Sequence, residues 1–119
     1  MSTQNGIVIH ITSGEREDWE MALRNILNLA RDESLPTPAD TMRVVVNGEA
    51  VKFLLETATG APEVVEMAEA GVRIGACSNS LDRFGHDPET LVDGIVTVRS
   101  GVAEVVRLQR KGHAYLKLP

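Results

Sequence analysis

Hydrophobic residues recur along the chain in two alternating patterns. Short runs of β-branched and other apolar residues predict strands at residues 6–11, 42–46, 72–76, 94–98 and 115–118. Between these runs, apolar residues at helical spacing predict helices at residues 13–32, 50–56, 62–70, 79–84 and 100–111. Alternating strands and helices predict a parallel sheet with right-handed crossovers and helices on both faces.

The first helix shows the helical pattern most clearly. Ser13 is a suitable N-cap residue, and acidic residues follow it in the first turn, where the helix dipole favours them. The predicted buried stripe consists of Trp19, Ala22, Leu23, Ile26, Leu27 and Ala30. The length of 119 residues allows one compact domain but not two, so we predict a single α/β domain over residues 1–119.

Charge and hydropathy exclude two classes of partner. The formal net charge of -5 argues against a nucleic-acid surface, which needs a net basic face, and against a polybasic membrane anchor. No apolar run approaches the ~20 residues of a membrane span. Residues 1–6 are polar and lack a signal-peptide pattern. We therefore expect no nucleic-acid and no membrane partner, and a cytoplasmic location, with which a lone cysteine is consistent.

The candidate for chemistry is Cys77, the only cysteine in the chain. It follows an apolar run and precedes Ser78, Asn79 and Ser80, which are favoured helix N-cap residues. This pattern predicts a thiol at the carboxyl end of a buried strand, the edge at which open α/β sheets bind ligands. The amides of the following helix would stabilise a thiolate there. We expect a partly exposed, reactive sulfur, with a buried structural thiol as the alternative.

A single sulfur limits the available reactions. Without a Cys-x-x-Cys motif an internal disulfide cycle is excluded, which leaves nucleophilic attack or transport of a sulfane sulfur as a persulfide. His10 lies near the same sheet edge and could bind an anion, modulate the thiol, or be a half-buried structural residue. Asn47 and Gly48 could present their amides to a ligand or form a plain turn. Phosphate-loop motifs and short metal-ligand spacings are absent, so we expect no metal and no cofactor.

Two motifs resemble a known family. They are Gly-Val-x-x-x-x-Cys-x-Asn-Ser-Leu at residues 71–81 and Leu-Gln-x-x-Gly-x-Ala-Tyr at residues 108–115. Further matching segments lie at residues 8–11, 23–29, 91–98 and 100–104. On these residues the chain resembles the DsrE/DsrF-like proteins over nearly its whole length.

The resemblance implies a three-layer α/β/α domain with a mostly parallel sheet of about five strands, flavodoxin-like in appearance. It also implies self-association as trimers or hexamers. The family's best-understood members are cytoplasmic sulfur-relay proteins that carry sulfur as a persulfide on the cysteine that Cys77 matches. Specialised members work as hetero-complexes of related subunits, whereas this sequence resembles the stand-alone branch.

Two functions from different classes remain open. In the first, Cys77 is the catalytic residue of a sulfurtransferase-like carrier that serves sulfur donor and acceptor proteins. The residues expected to bind the ligand are then His10, Asn25, Gly48, Ser78, Asn79 and Ser80. In the second, the chain is a non-catalytic small-anion-binding or oligomeric assembly module in which Cys77 is structural.

Overall fold

The computed structural model describes residues 6–119 and contains five parallel strands in the order β4-β3-β2-β1-β5. The strands are β1 (Ile7–Ile11), β2 (Met42–Val46), β3 (Arg73–Cys77), β4 (Val96–Val98) and β5 (Ala114–Leu118). The predicted parallel α/β sheet is confirmed. Most of the polar opening segment, residues 1–5, lies outside the described residues.

Four α-helices connect the strands. They are α1 (Arg16–Arg31), α2 (Ala61–Glu69), α3 (Ser78–Arg83) and α4 (Gly101–Arg110). The helix predicted at residues 50–56 is a 3₁₀ helix over Gly48–Leu54, and Leu55 leaves it to form an isolated bridge with Leu91. Within residues 6–119, no helix has the length and apolar character needed to cross a membrane.

The strand order explains the layers. The chain moves in one direction across the sheet from β1 to β4, so right-handed crossovers place α1, α2 and α3 on one face. The step from β4 to β5 returns in the opposite direction, and α4 therefore lies on the other face. We call these the three-helix face, which contains Ile9 and Ile74, and the α4 face, which contains Val8 and Val45.

The two faces differ in the size of their cores. A continuous cluster on the three-helix face joins Trp19 and Ile26 of α1 to Ile9, Ile74 and Leu54. On the α4 face the buried cluster consists of Val8, Val45, Val105 and Leu108. The domain is a three-layer α/β/α structure, as predicted, but one helical layer is a single helix.

The first helix departs from its prediction at both ends. Glu15, not Ser13, is its N-cap residue, and the Ser13 hydroxyl instead donates to Asp18 at 2.6 Å. Leu27 and Ala30 are exposed, so the stripe predicted to be buried was too long. A 16-residue helix is about 24 Å long, whereas a five-residue strand spans about 17 Å, so the last turn has little sheet beneath it.

Candidate functional site

Cys77 lies where two adjacent strands lead to helices on opposite faces of the sheet. β3 continues into α3 on the three-helix face, while the adjacent β4 continues into α4 on the α4 face. Such a topological switch point opens a crevice at the carboxyl ends of neighbouring strands. Cys77 is both the last residue of β3 and the N-cap residue of α3. The predicted position of the thiol at the sheet edge is therefore confirmed.

The thiol is enclosed by the starts of two helices. A Cβ atom added to Gly101, the first residue of α4, would lie 3.4 Å from Cys77 Cβ and 3.0 Å from Asn47 Cβ. Cys77 is consequently only 4% exposed, and the prediction of a partly exposed sulfur is wrong. The sequence pattern shows that a helix follows Cys77, but it does not show that a second helix begins against it.

Polar groups surround the buried sulfur. Burial raises the pKa of the Cys77 thiol, but the Ser80 hydroxyl and the backbone amides of Gly101, Ser80 and Asn79 lower it by more. The net pKa is below the ordinary thiol value. Cys77 makes no side-chain cap hydrogen bond to α3. Its surroundings favour the thiolate relative to an ordinary cysteine.

Gly48 supports this arrangement through Ser80. The Gly48 N–H donates to Ser80 Oγ at 2.8 Å, which leaves the hydroxyl proton of Ser80 free to donate to the sulfur. Gly48 has a φ of 70°, a left-handed conformation that glycine adopts without strain. Its amide is thus used within the protein, which agrees with the expected turn and not with an amide presented to a ligand.

A chain of three side chains leads toward the same site. His10 Nδ1 lies 2.9 Å from the Tyr115 hydroxyl, and His10 Nε2 lies 2.5 Å from Asn47 Oδ1. The rings of His10 and Tyr115 are 5.9 Å apart and tilted. Both ring nitrogens of His10 therefore have protein partners, which favours modulation of the thiol over direct contact with a bound anion.

Neither a metal centre nor the groove beside α1 forms part of the thiol site in residues 6–119. Among residues 6–119, no group of three His, Cys, Asp or Glu side chains is placed to hold a metal ion. A groove of about 780 Å³ lies between α1 and the 3₁₀ helix and includes the stacked rings of Trp19 and Phe53. Cys77 does not line this groove, so the groove and the thiol site are separate.

Comparison with known proteins agrees with the resemblance read from the motifs. The model of the DsrE/DsrF-like family matches residues 7–118. This chain belongs to the DsrE/DsrF-like family. No protein with a curated description matches the sequence.

Solved structures share the fold of this DsrE/DsrF-like chain. The protein MTH1491 from Methanobacterium thermoautotrophicum, of unknown function, is 32% identical with a TM-score of 0.84, covering 96% of this chain and 99% of its own. The ychN protein from E. coli is 20% identical with a TM-score of 0.76, covering 97% of this chain and 100% of its own. BT1422 from Bacteroides thetaiotaomicron, also of unknown function, is 21% identical with a TM-score of 0.75, covering 99% and 98%.

The fold of this DsrE/DsrF-like domain brings most of the predicted site residues together. Those in or beside the thiol site are His10, Gly48, Ser78, Asn79 and Ser80. The Asn79 N–H also donates to the Arg99 carbonyl at 3.3 Å, which ties α3 to the segment before α4. Asn25 is not part of this group, because it is exposed on α1, on the opposite side of the sheet.

Two residues of the thiol site, Gly101 and Tyr115, were not predicted, and Asn47 was predicted to act only through its amide. The Asn47 side chain follows β2 directly, at the carboxyl edge of the sheet. Gly101 could have been identified only as the start of a helix. Tyr115 ends the second family motif, but nothing local indicates that β5 lies beside β1.

Proposed function

We propose that this DsrE/DsrF-like protein is a cytoplasmic sulfur carrier that holds sulfane sulfur as a persulfide on Cys77 and passes it to a partner thiol. The observation that carries the proposal is the polar environment of Cys77 in a chain of this family. The Ser80 hydroxyl and the Gly101 amide lower the thiol pKa, so the nucleophilic thiolate is populated more than in an ordinary cysteine.

The proposed loading step requires no external oxidant. The Cys77 thiolate attacks the outer sulfur of a donor persulfide, R–S–S–H, and a new S–S bond forms on Cys77 as the donor S–S bond breaks. The electron pair of the broken bond leaves on the donor as R–S⁻, while the proton stays on the transferred sulfur. Delivery to an acceptor thiolate repeats the exchange in the opposite sense and regenerates the Cys77 thiolate.

The donors around Cys77 suit both the free and the loaded state of this cycle. A persulfide is more acidic than a thiol, so after it releases its proton the loaded cysteine is also an anion that accepts hydrogen bonds from backbone N–H groups. Because Cys77 is buried, the same enclosure restricts the access of donor and acceptor molecules to its sulfur. We therefore expect loading to be fast only for donors small enough to pass between two helix starts.

Mass spectrometry of the intact protein tests the proposal. After incubation with inorganic polysulfide, we expect native protein to gain the mass of one or more sulfur atoms, and Cys77→Ser to gain none. Release of this mass by a thiol such as dithiothreitol identifies it as sulfane sulfur. Equal gain by both proteins, or no gain by either under conditions in which the native protein is folded, would contradict the proposal.

The burial of Cys77 supports a second candidate function. In it the chain is a non-catalytic binding or assembly module, and Cys77 is a packing residue at the switch point. Titration of the single thiol separates the two functions, because a structural cysteine stays unreactive until the protein is denatured. A native thiol that reacts more slowly than in urea by many orders of magnitude would favour the module.

We also propose that the chain self-associates as a trimer or hexamer and meets its sulfur donors and acceptors in that state. The support is a set of exposed apolar side chains, Val96 of β4 and Val102 and Val106 of α4. Light scattering of native protein and of Val106→Asp measures this directly. A native monomer at all accessible concentrations would contradict self-association without affecting the sulfur-carrier proposal.

A further inference from the structure

The segment Asn47–Gly48 contacts both of the elements that supply donors to the thiol. The Gly48 N–H holds Ser80 Oγ, and the Asn47 side chain packs against Gly101, with its Cβ 3.0 Å and its Cγ 3.3 Å from the position of an added Gly101 Cβ. The start of α4 therefore rests against both Asn47 and Cys77. A shift of the Asn47 side chain would therefore also move Gly101, whose N–H is one of the donors to the Cys77 sulfur.

The orientation of Asn47 is set from outside the site. Asn47 Oδ1 faces His10 Nε2 and can only accept, from which we infer that Nε2 carries a proton and donates. In the neutral imidazole Nδ1 is then the acceptor, and the Tyr115 hydroxyl donates to it. This direction of donation, from Tyr115 to His10 to Asn47, satisfies both ring nitrogens with one tautomer.

The three side chains reach one another because of the strand order. β1 lies between β2 and β5, and the side chains of Val8, His10, Val45 and Tyr115 all lie on the α4 face. Tyr115 pairs in register with Val8, so it is the diagonal neighbour of His10 across the strand pair. Lys117 is directly opposite His10, but its Nζ donates to the Leu118 carbonyl. Tyr115 is thus the partner available to His10.

We propose that Tyr115, His10 and Asn47 form a positioning chain that holds the start of α4 and the residue 47–48 turn in place around the Cys77 sulfur. None of the three is a catalytic residue, because their contacts are with one another and with Gly101. They act through the Gly101 amide and, through the turn, on the Ser80 hydroxyl. The inference deepens the proposed function, since it concerns the same thiol, but its test does not require sulfur transfer.

The test measures the pH profile of the thiolate by its ultraviolet absorbance, with Cys77→Ser as the blank. Because the chain has one cysteine, the signal has one source. Loss of one donor to the thiolate corresponds to about 1 kcal/mol, so we expect Asn47→Ala to lower the thiolate fraction at neutral pH by about fivefold. His10→Ala should lower the thiolate fraction by a similar factor. Tyr115→Phe should lower it by only about twofold, because Tyr115 acts through His10.

A matched control is Asn28→Ala, an exposed asparagine on α1 that lies on the other side of the sheet. It should leave the profile unchanged. If Asn47→Ala and Tyr115→Phe remain folded and their profiles coincide with that of the native protein, the positioning chain is wrong. The polysulfide experiment on Cys77 is unaffected by that result, so failure of this inference and failure of the sulfur-carrier proposal are distinguishable.

A second measurement needs no substitution. Nitrogen-15 NMR of the native protein distinguishes the two tautomers of each of its three histidines, and sequential resonance assignment identifies the signals of His10. We expect His10 to be protonated at Nε2 and unprotonated at Nδ1. The opposite tautomer would overturn the inferred direction of donation even if every variant failed to fold.

Discussion

The two faces of the sheet differ, because one carries most of the apolar core and the other carries the polar residues around Cys77. The three-helix face buries a continuous apolar cluster that includes α1, α2 and the 3₁₀ helix. The α4 face has a four-residue apolar cluster under one helix, and its other side chains include the buried Cys77 and the polar His10 and Asn47. The same five strands contribute to both faces, since alternate residues of each strand point in opposite directions.

This difference shows how a small domain keeps a polar site close to its core. A network of hydrogen-bonded side chains needs room for its polar groups, and unfilled volume within a densely packed core is destabilising. Here the polar groups lie at the carboxyl end of the face that carries less of the apolar core. Substitutions on the two faces should therefore have different effects, and they test the comparison directly.

The largest effect is expected from a matched pair of leucine truncations. Leu54 is fully buried in the large cluster, and Leu108 is 3% exposed in the four-residue cluster. We expect Leu54→Ala to lower the free energy of unfolding by about 3–5 kcal/mol and Leu108→Ala by about 2 kcal/mol, because the thinner face can collapse around the cavity. Urea denaturation measures both. Equal costs would mean that the two cores are equally rigid.

A second pair adds a methyl group to a glycine at each face. Gly101→Ala places Cβ 3.0 Å from Asn47 Cβ, so we expect a loss of about 1–3 kcal/mol by overpacking, together with a raised thiol pKa. Gly60→Ala on the three-helix side meets its nearest atoms at 3.7 Å and should change stability by about 0.5 kcal/mol or less. Thermal unfolding measures the stability of both variants. If Gly101→Ala is as stable as the native protein, the contact between Gly101 and Asn47 is loose.

The thiol should make stability depend on pH. Because the pKa of Cys77 is lower in the folded protein than its ordinary value of 9.0, the thiolate stabilises the fold. That contribution is complete above pH 9.0 and is lost as the pH falls through the folded pKa. The stability of native protein relative to Cys77→Ser should therefore rise with pH, as measured by urea denaturation at a series of pH values. A difference that falls with pH would mean that burial dominates.

The smallest effect is expected from the outer surface of α4. Val102 is 59% exposed, so Val102→Ser should change the stability of the monomer by about 0.5 kcal/mol or less. Val105, on the inner surface of the same helix, is buried, and Val105→Ser should cost at least about 2 kcal/mol. Denaturation at low protein concentration measures the monomer. A large cost for Val102→Ser there would show that the surface is covered within one chain.

The sequence alone determined the elements and the edge at which the thiol lies. The runs at β1, β2 and β3 are apolar at nearly every position, which is the local signature of strands covered on both faces. Their alternation with helices predicted the parallel sheet. The position of Cys77 between the last of these runs and a cap-rich segment predicted that the sulfur would stand at a strand end, and it does.

Only the tertiary structure decided what surrounds that sulfur. The start of α4 packs against Cys77 because the crossover from β4 to β5 reverses direction, and no local pattern encodes that reversal. The contact between His10 and Tyr115 joins residues 105 positions apart. Hydrophobic periodicity reports which residues share a face of one element, whereas burial and hydrogen bonding depend on which elements are neighbours. The exposure of Cys77 and the partners of His10 therefore followed from strand order, not from sequence pattern.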